Sequence, residues 1–274
     1  MKIFIFGANG MLGNYIQSFF SKNYQVIPLT RKDYDLSKLS INTLEKLLQN
    51  KYLQKNDIVI NCAGVIPQAS KQRELNTRLY FTINSLFPVI LSQICDKYEA
   101  KIIHITTDCI FSGKEGNYHE NSIHDEISDY GLSKSLGELC KATIIRTSII
   151  GEEVNNKRSL LEWVRSNRGG EINGYINNRW NGVTCLQLSK IIEKMIREKI
   201  YWEGVRHTFS PRSVSKYELV SLINEIYDLN IKVNKFEMGN LIDKTLTTIY
   251  KTNDIFNIPE LKIQIQELKK FDLY

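Results

Sequence analysis

The chain has 274 residues, 42% of them apolar, with a formal net charge of +6. That length accommodates one large domain, or a large domain with a lobe. No apolar run approaches the ~20 residues that cross a bilayer, which excludes a membrane-spanning helix. Lys and Arg are spread along the chain without a basic block, which argues against a nucleic-acid surface and suits a phosphate-bearing ligand.

Ile3–Phe6 reads as a first strand, too short for the core of a signal peptide. The turn Gly7-Ala8-Asn9-Gly10-Met11-Leu12-Gly13 leads into a helix over Met11–Phe20, with Leu12, Tyr15, Ile16 and Phe19 on one face. A strand over Gln25–Leu29 follows, then a helix over Ile41–Gln49 with Ile41, Leu44, Leu47 and Leu48 facing inward. Ile58–Asn61 is a strand, Arg78–Tyr98 one long helix, Lys101–Thr106 a strand, Tyr130–Lys141 a helix and Thr143–Arg146 a strand. Strands alternating with helices, some nearly all apolar, predict an α/β fold of Rossmann type, a doubly wound parallel sheet. Beyond Gly151 the rhythm loosens, and Gly and Asn cluster between Asn167 and Gly182. A helix over Leu186–Arg197, a strand over Val205–Phe209, a helix over Ser213–Tyr227 and a helical tail within Phe256–Tyr274 are expected. The expected division is a dinucleotide-binding domain over 1–150 and a smaller substrate-binding lobe over 151–274. Segments near 183–209 would return from that lobe to the first domain.

The five cysteines Cys62, Cys95, Cys109, Cys140 and Cys185 form no CxxC pair. Buried free thiols in a reducing, cytoplasmic compartment are the expectation. The four histidines make no HxxxH or HExxH pattern, so no metal is assigned.

In the glycine turn, Gly7 permits a sharp strand-to-helix turn, Gly10 lets a pyrophosphate approach the backbone, and Gly13 lets the helix pack on the sheet. The helix start then offers free N–H groups to the phosphates, with Asn9, Met11 and Leu12 around them. After the second strand the chain reads Thr30-Arg31-Lys32-Asp33. An acidic residue there would grip a ribose 2′-OH; Arg31 and Lys32 instead suit a 2′-phosphate, favouring NADPH, with NADH the alternative. Asp35 and Leu36 flank the adenine in this reading.

Tyr130-Gly-Leu-Ser-Lys134 places a tyrosine and a lysine one helical turn apart on one face. A tyrosine holds its proton at neutral pH, and a nearby ammonium eases its release. Tyr130 then serves as general acid to a carbonyl oxygen receiving hydride. Lys134 reaches the nicotinamide ribose, and Thr107, at a strand's carboxyl end, bonds the same carbonyl oxygen.

These motifs resemble the extended short-chain dehydrogenase/reductases, and within them the dTDP-4-dehydrorhamnose reductase branch of nucleotide-sugar reductases. The residues that carry the resemblance are Gly7, Gly10 and Gly13; Asn61-Cys62-Ala63-Gly64; Asn84; Thr106-Thr107-Asp108-Cys109-Ile110-Phe111-Ser112-Gly113; Tyr130 to Lys134 with Gly137-Glu138; and Ile145-Arg146-Thr147-Ser148. The resemblance implies Thr107, Tyr130 and Lys134 as catalytic triad. Cys62, Ala63, Gly64 and Asn84 join the cofactor contacts, and Asp108, Cys109, Ile110 and Phe111 become substrate contacts. It implies reduction of a 4-keto group on a nucleotide-linked 6-deoxyhexose, with a dehydratase and an epimerase upstream. Dimers are common in this superfamily, so a homodimer is the assembly it suggests.

The chain departs from that branch at Val65-Ile66-Pro67-Gln68-Ala69-Ser70, where an acidic, Thr-containing segment is usual. It departs again at Ile149, where Trp is common, and near Asn14-Tyr15, which lack the glutamates of a metal-bridged dimer. The loop Asn177–Thr184 falls where the family places sugar-nucleotide contacts. Arg179 suits a diphosphate and Trp180 a stacked base or sugar; a packed loop anchored by the tryptophan is the alternative. This loop and 65–70 resemble reductases of UDP-linked 2-acetamido-2,6-dideoxyhexoses. Two further readings are a bifunctional epimerase/reductase, with Cys109 and His119 as the candidate acid/base pair, and a non-catalytic regulatory subunit that keeps the nucleotide site.

Overall fold

The computed structural model describes residues 1–67, 77–155, 157–237 and 239–273. Gln68, Ala69 and Ser70 of the divergent loop lie outside these residues.

The first half runs β1 (Lys2–Phe6), α1 (Met11–Phe20), β2 (Gln25–Leu29), α2 (Ile41–Asn50), β3 (Ile58–Asn61), α3 (Thr77–Phe81), α4 (Phe87–Lys97), β4 (Lys101–Thr107), α5 (Asp129–Gly137) and β5 (Thr143–Thr147). The expected helix 78–98 is interrupted by a wider π-turn over Thr82–Leu86, which joins α3 to α4. Pro88 is tolerated because it falls in the first turn of α4. The second half runs β6 (Ile149–Ile150), α6 (Leu160–Ser166), β7 (Glu171–Tyr175), β8 (Asn178–Trp180), β9 (Val183–Thr184), α7 (Cys185–Glu198), β10 (Gly204–His207), β11 (Val214–Ser215), α8 (Lys216–Tyr227), β12 (Lys232–Phe236), β13 (Ile242–Asp243), α9 (Thr252–Phe256) and α10 (Leu261–Lys270).

The main sheet has six strands in the order β10-β5-β4-β3-β1-β2, and every pairing is parallel. Its strands alternate between two cores. Ile3, Ile5, Ile58, Ile60, Ile103 and Ile145 pack with α1 and α7 on one face. Phe4, Phe6, Val59, Ile102 and Ile144 pack with α2 and α4 on the other. Burial on both faces explains why these strands are apolar throughout. Strand order reverses between β1 and β3, and ligands of such sheets bind at the carboxyl ends beside that reversal.

The stretch 167–182 is more ordered than its Gly and Asn content suggests. β7 pairs with β12, β8 lies between β11 and β13, and β6 pairs with β9. These partners are distant in sequence, so local pattern does not reveal them. The C-terminal helix is tied down by buried Gln264, whose side chain accepts from the Thr184 N–H at 3.0 Å and donates to Ser210 Oγ at 2.9 Å. Among the described residues no helix is long and apolar enough to cross a membrane.

Candidate active site

A cleft opens where β2, β1 and β3 end. Its walls include Gly7, Asn9 and Gly10 after β1, Arg31, Asp35 and Leu36 after β2, and Cys62, Ala63 and Gly64 after β3. Gly7 has φ +76°, and a Cβ there would lie 2.8 Å from the Ala63 nitrogen. A Cβ on Gly13 would lie 2.2 Å from the Gly7 carbonyl oxygen, so only glycine lets α1 descend this close to the turn. Gly10 caps α1 without a side-chain hydrogen bond, and no acidic residue occupies its first turn. Its N–H groups and dipole therefore suit an anionic ligand, and the cleft fits a dinucleotide.

Other expected cofactor residues do different work. Leu12 is buried in the core and Met11 packs against it. Lys32 is exposed and does not line the cleft. Asn84 is buried and spends its amide on the neighbourhood: it accepts from the Val65 N–H at 2.9 Å, donates to the Val65 carbonyl at 3.0 Å, and donates to Ser133 Oγ at 3.0 Å. It fixes the cleft wall to α5 rather than facing the cleft. Asp35 binds its own turn through the N–H and Oγ of Ser37 and pairs with Arg31 at 3.3 Å. Burial pushes its carboxyl up, but the Ser37 donors and Arg31 outweigh this and hold it low. Among the wall residues that local pattern did not flag is Arg158, just before α6, which lines the cleft from the second half of the chain.

The catalytic candidates meet at the carboxyl end of β4. Thr107 Oγ1 accepts from the Cys109 N–H at 3.2 Å and donates to Asp108 Oδ1 at 3.1 Å, and the Tyr130 hydroxyl lies close enough to feel it. The small residues in and around Tyr130-Gly-Leu-Ser-Lys134 have structural reasons. Ser128 caps α5 by accepting from the Gly131 N–H at 3.3 Å. A Cβ on Gly131 would meet Glu126 Cγ at 2.2 Å and the Cys109 carbonyl at 2.8 Å. Ser133 Oγ donates to the Tyr130 carbonyl at 2.9 Å, and Ser85 donates to the Ser133 carbonyl at 2.7 Å. A Cβ on Gly137 would lie 2.1 Å from the Asn84 carbonyl oxygen. The two glycines thus let α5 press against the π-turn and against the loop after β4.

Lys134 Nζ donates to the Ile105 carbonyl at 3.1 Å. A Cβ on Gly64 would lie 3.9 Å from Nζ, so the lysine sits where the cleft meets the triad. Burial lowers its pKa to about 8, opposed first by Glu138. Tyr130 is pushed up, first by burial and then by Cys109, while Thr107 works the other way. Its ring also leans on Tyr80, with centroids 6.2 Å apart. Cys109 is driven up to about 12, first by burial and then by Asp108, so its thiol stays protonated. His119 Nδ1 accepts from the Asn121 N–H at 3.2 Å within its own turn.

Behind α5, Arg146 is buried and makes a forked contact with Glu138, at 3.0 and 2.5 Å. It also touches the Nε2 atoms of His207, at 2.7 Å, and His124, at 3.0 Å. Burial and then Arg146 hold His207 down at about 4, so a neutral ring accepts from the guanidinium. This fork anchors the C-terminal end of the helix that carries Tyr130 and Lys134.

Three expected substrate contacts are placed elsewhere. Ile110 and Phe111 are core residues, at 1% and 0% exposure, with Phe111 stacked on Tyr118 at 4.2 Å. They hold the loop after β4 and offer no surface to a ligand. Trp180 is 4% exposed and lies under the Lys216 ammonium, so it packs in the loop and presents no open face for a base. Arg179 Nη2 donates to Ser213 Oγ at 2.5 Å. Asp108 is buried and its carboxyl is raised, first by that burial, against the pull of Lys244 and Lys216.

Comparison with known proteins fits this site. The chain is 27% identical over 266 residues to the dTDP-4-dehydrorhamnose reductase of Aggregatibacter actinomycetemcomitans, covering 92% of this chain and 86% of that one. Its fold is similar to a crystal structure of a dTDP-4-dehydrorhamnose reductase from Clostridium acetobutylicum, at a TM-score of 0.80 and 24% identity over 98% of this chain and 99% of that one. The Bacillus anthracis dTDP-4-dehydrorhamnose reductase in complex with NADP gives 0.81 and 23%, over 98% of each chain. Residues 1–235 match the family described as RmlD substrate binding domain, and the chain belongs to that family.

Proposed function

We propose that the protein is an NADPH-dependent reductase of the 4-keto group of a nucleotide-linked 4-keto-6-deoxyhexose. The observation that carries this reading is the meeting of Thr107, Tyr130 and Lys134 at the end of β4, with Lys134 beside Gly64 at the mouth of the dinucleotide cleft. Gly7, Gly10 and the start of α1 would hold the pyrophosphate of NADPH, and Arg31 its 2′-phosphate. When bound, the cofactor supplies hydride to C4. Thr107 and Tyr130 grip the carbonyl oxygen, and Tyr130 donates its proton to that oxygen as hydride arrives at carbon. Burial keeps the proton on Tyr130 until then. Lys134, charged below about pH 8, stabilises the phenolate that is left.

The relatives' names support a dTDP-linked substrate, and the UDP-linked 2-acetamido form is the second candidate. The protonated Cys109 thiol and the self-engaged His119 weigh against an epimerase pair, and the assembled triad weighs against a regulatory subunit. Leu132, Leu136 and Leu139 are exposed along and just beyond α5, and this stripe supports a homodimer through that helix. The test follows NADPH oxidation with each keto sugar. Turnover on one supports the reading, and none on any keto sugar overturns it.

A further inference from the structure

The small sheet β11-β8-β13 brings two lysines to the loop that follows catalytic Thr107. In register, Ser215 of β11 and Asp243 of β13 both face Arg179 of β8. Lys216, the first residue of α8, and Lys244, just past β13, follow directly. Both act on the Asp108 carboxyl, and both are absent from the cofactor cleft. They stand on the lobe side of the triad.

Lys216 is the unusual one. Its side chain is half-buried, and its ammonium lies 5.2 Å from the centroid of the Trp180 ring. It makes no hydrogen bond or ion pair with a described residue. Asp108 is the nearest counter-charge and opposes the effect of burial on Lys216, but it acts without a hydrogen bond or close ion pair to it. That carboxyl takes Thr107 Oγ1 at 3.1 Å and Cys109 Sγ at 3.5 Å. Lys244 is shared with Glu126 at 3.7 Å, with both side chains about four-fifths covered. An enclosed ammonium with no directly bonded anion gains when an anion arrives to meet it.

We infer that Lys216 and Lys244 hold the phosphate attached to the sugar of the substrate, with Trp180 as the seat of Lys216 rather than a stacking surface. This rests on the nucleotide-sugar reading above. A hexose whose C4 oxygen lies at Tyr130 carries its anomeric phosphate across the ring, away from the triad. The lobe side of Asp108 and Cys109 is where the two ammoniums stand. The start of α8 and the end of β13 deliver them, so substrate charge also fixes the lobe against the loop after β4.

The experiment measures dTDP and UDP binding by calorimetry, with NADP⁺ present, for the wild type and for Lys216→Met, Lys216→Arg, Lys244→Met and the double Met variant. NADPH affinity and thermal unfolding are followed on the same samples. The expected result is at least a tenfold loss of nucleoside diphosphate affinity in each Met variant. The double variant should lose more, and Lys216→Arg should recover part of it. NADPH affinity should stay unchanged, and Lys216→Met should unfold no earlier than wild type. Wild-type affinity for the diphosphates in both Met variants would overturn the inference. So would lowered stability with binding intact, which would mark Lys216 as a partner of Asp108. If the wild type reduces a keto sugar and the variants bind dTDP and UDP normally, the inference fails alone. If the wild type binds neither dTDP nor UDP, both readings fail.

Discussion

Gly137→Ala tests how the packing of α5 sets the chemistry. The new methyl would lie 2.1 Å from the Asn84 carbonyl oxygen, whereas ordinary contact begins near 3.4 Å. The helix must therefore retreat by ~1.3 Å (3.4 − 2.1), because both the obstacle and the intruder belong to backbone. Overpacking of this kind costs about 1–3 kcal/mol. Replacing a helical glycine returns at most ~1 kcal/mol of propensity, and less at the last residue of a helix. A net loss of about 1–2 kcal/mol is expected. The retreat also draws Lys134 from the Ile105 carbonyl and Tyr130 from Thr107, and a shift near 1 Å lowers turnover by about 10²-fold. The assay pairs urea unfolding with kcat, using Lys141→Ala as control. Lys141 lies just past α5 and makes only an exposed contact to Asp96, at 3.5 Å. A Gly137→Ala enzyme with wild-type stability and kcat would refute the claim that this contact positions the triad.

Arg31→Ala is expected to weaken NADPH binding by about tenfold and leave NADH nearly unchanged, whereas Arg158→Ala should weaken both alike; fluorescence titration separates the two, and equal loss of both dinucleotides on Arg31→Ala would contradict the assignment. Lys134 is depressed to about 8, so its charge is present below that pH and lost above it; kcat/KM should fall on a basic limb near 8, and Lys134→Met should abolish that limb with most of the activity. Cys109→Ser should retain most of the reductase activity, because a thiol held up near 12 neither donates nor accepts a proton at neutral pH; a loss beyond tenfold would give Cys109 a chemical role.

The parallel sheet and the closeness of Tyr130 and Lys134 were legible because their signals are local. Gly7 and Gly13 declare a turn where a side chain cannot fit, and Tyr130 and Lys134 share one helix. The family resemblance added Asn84, Ile110 and Phe111 as ligand contacts, and the structure gives them other duties. Asn84 ties Val65 to Ser133, while Ile110 and Phe111 fill a small core with Tyr118 and Leu246. A motif names residues that stay together, not which of them face the ligand. Arg158 and Lys216 escaped notice for the opposite reason. Each is one basic residue in an ordinary surface-like stretch, and only tertiary packing brings Arg158 to the cleft and Lys216 to the loop after β4. β7 escaped too, since Gly174 breaks its pattern and its partner β12 lies far along the chain.

The central claim is that Tyr130 gives a proton to a sugar carbonyl that receives hydride from NADPH. The most direct test follows absorbance at 340 nm with dTDP-4-keto-6-deoxyhexose and NADPH, comparing wild type with Tyr130→Phe. The expected result is steady oxidation by the wild type, and a loss of at least about 10²-fold in kcat for the variant with NADPH affinity retained. A Tyr130→Phe enzyme that oxidises NADPH at the wild-type rate would contradict the mechanism.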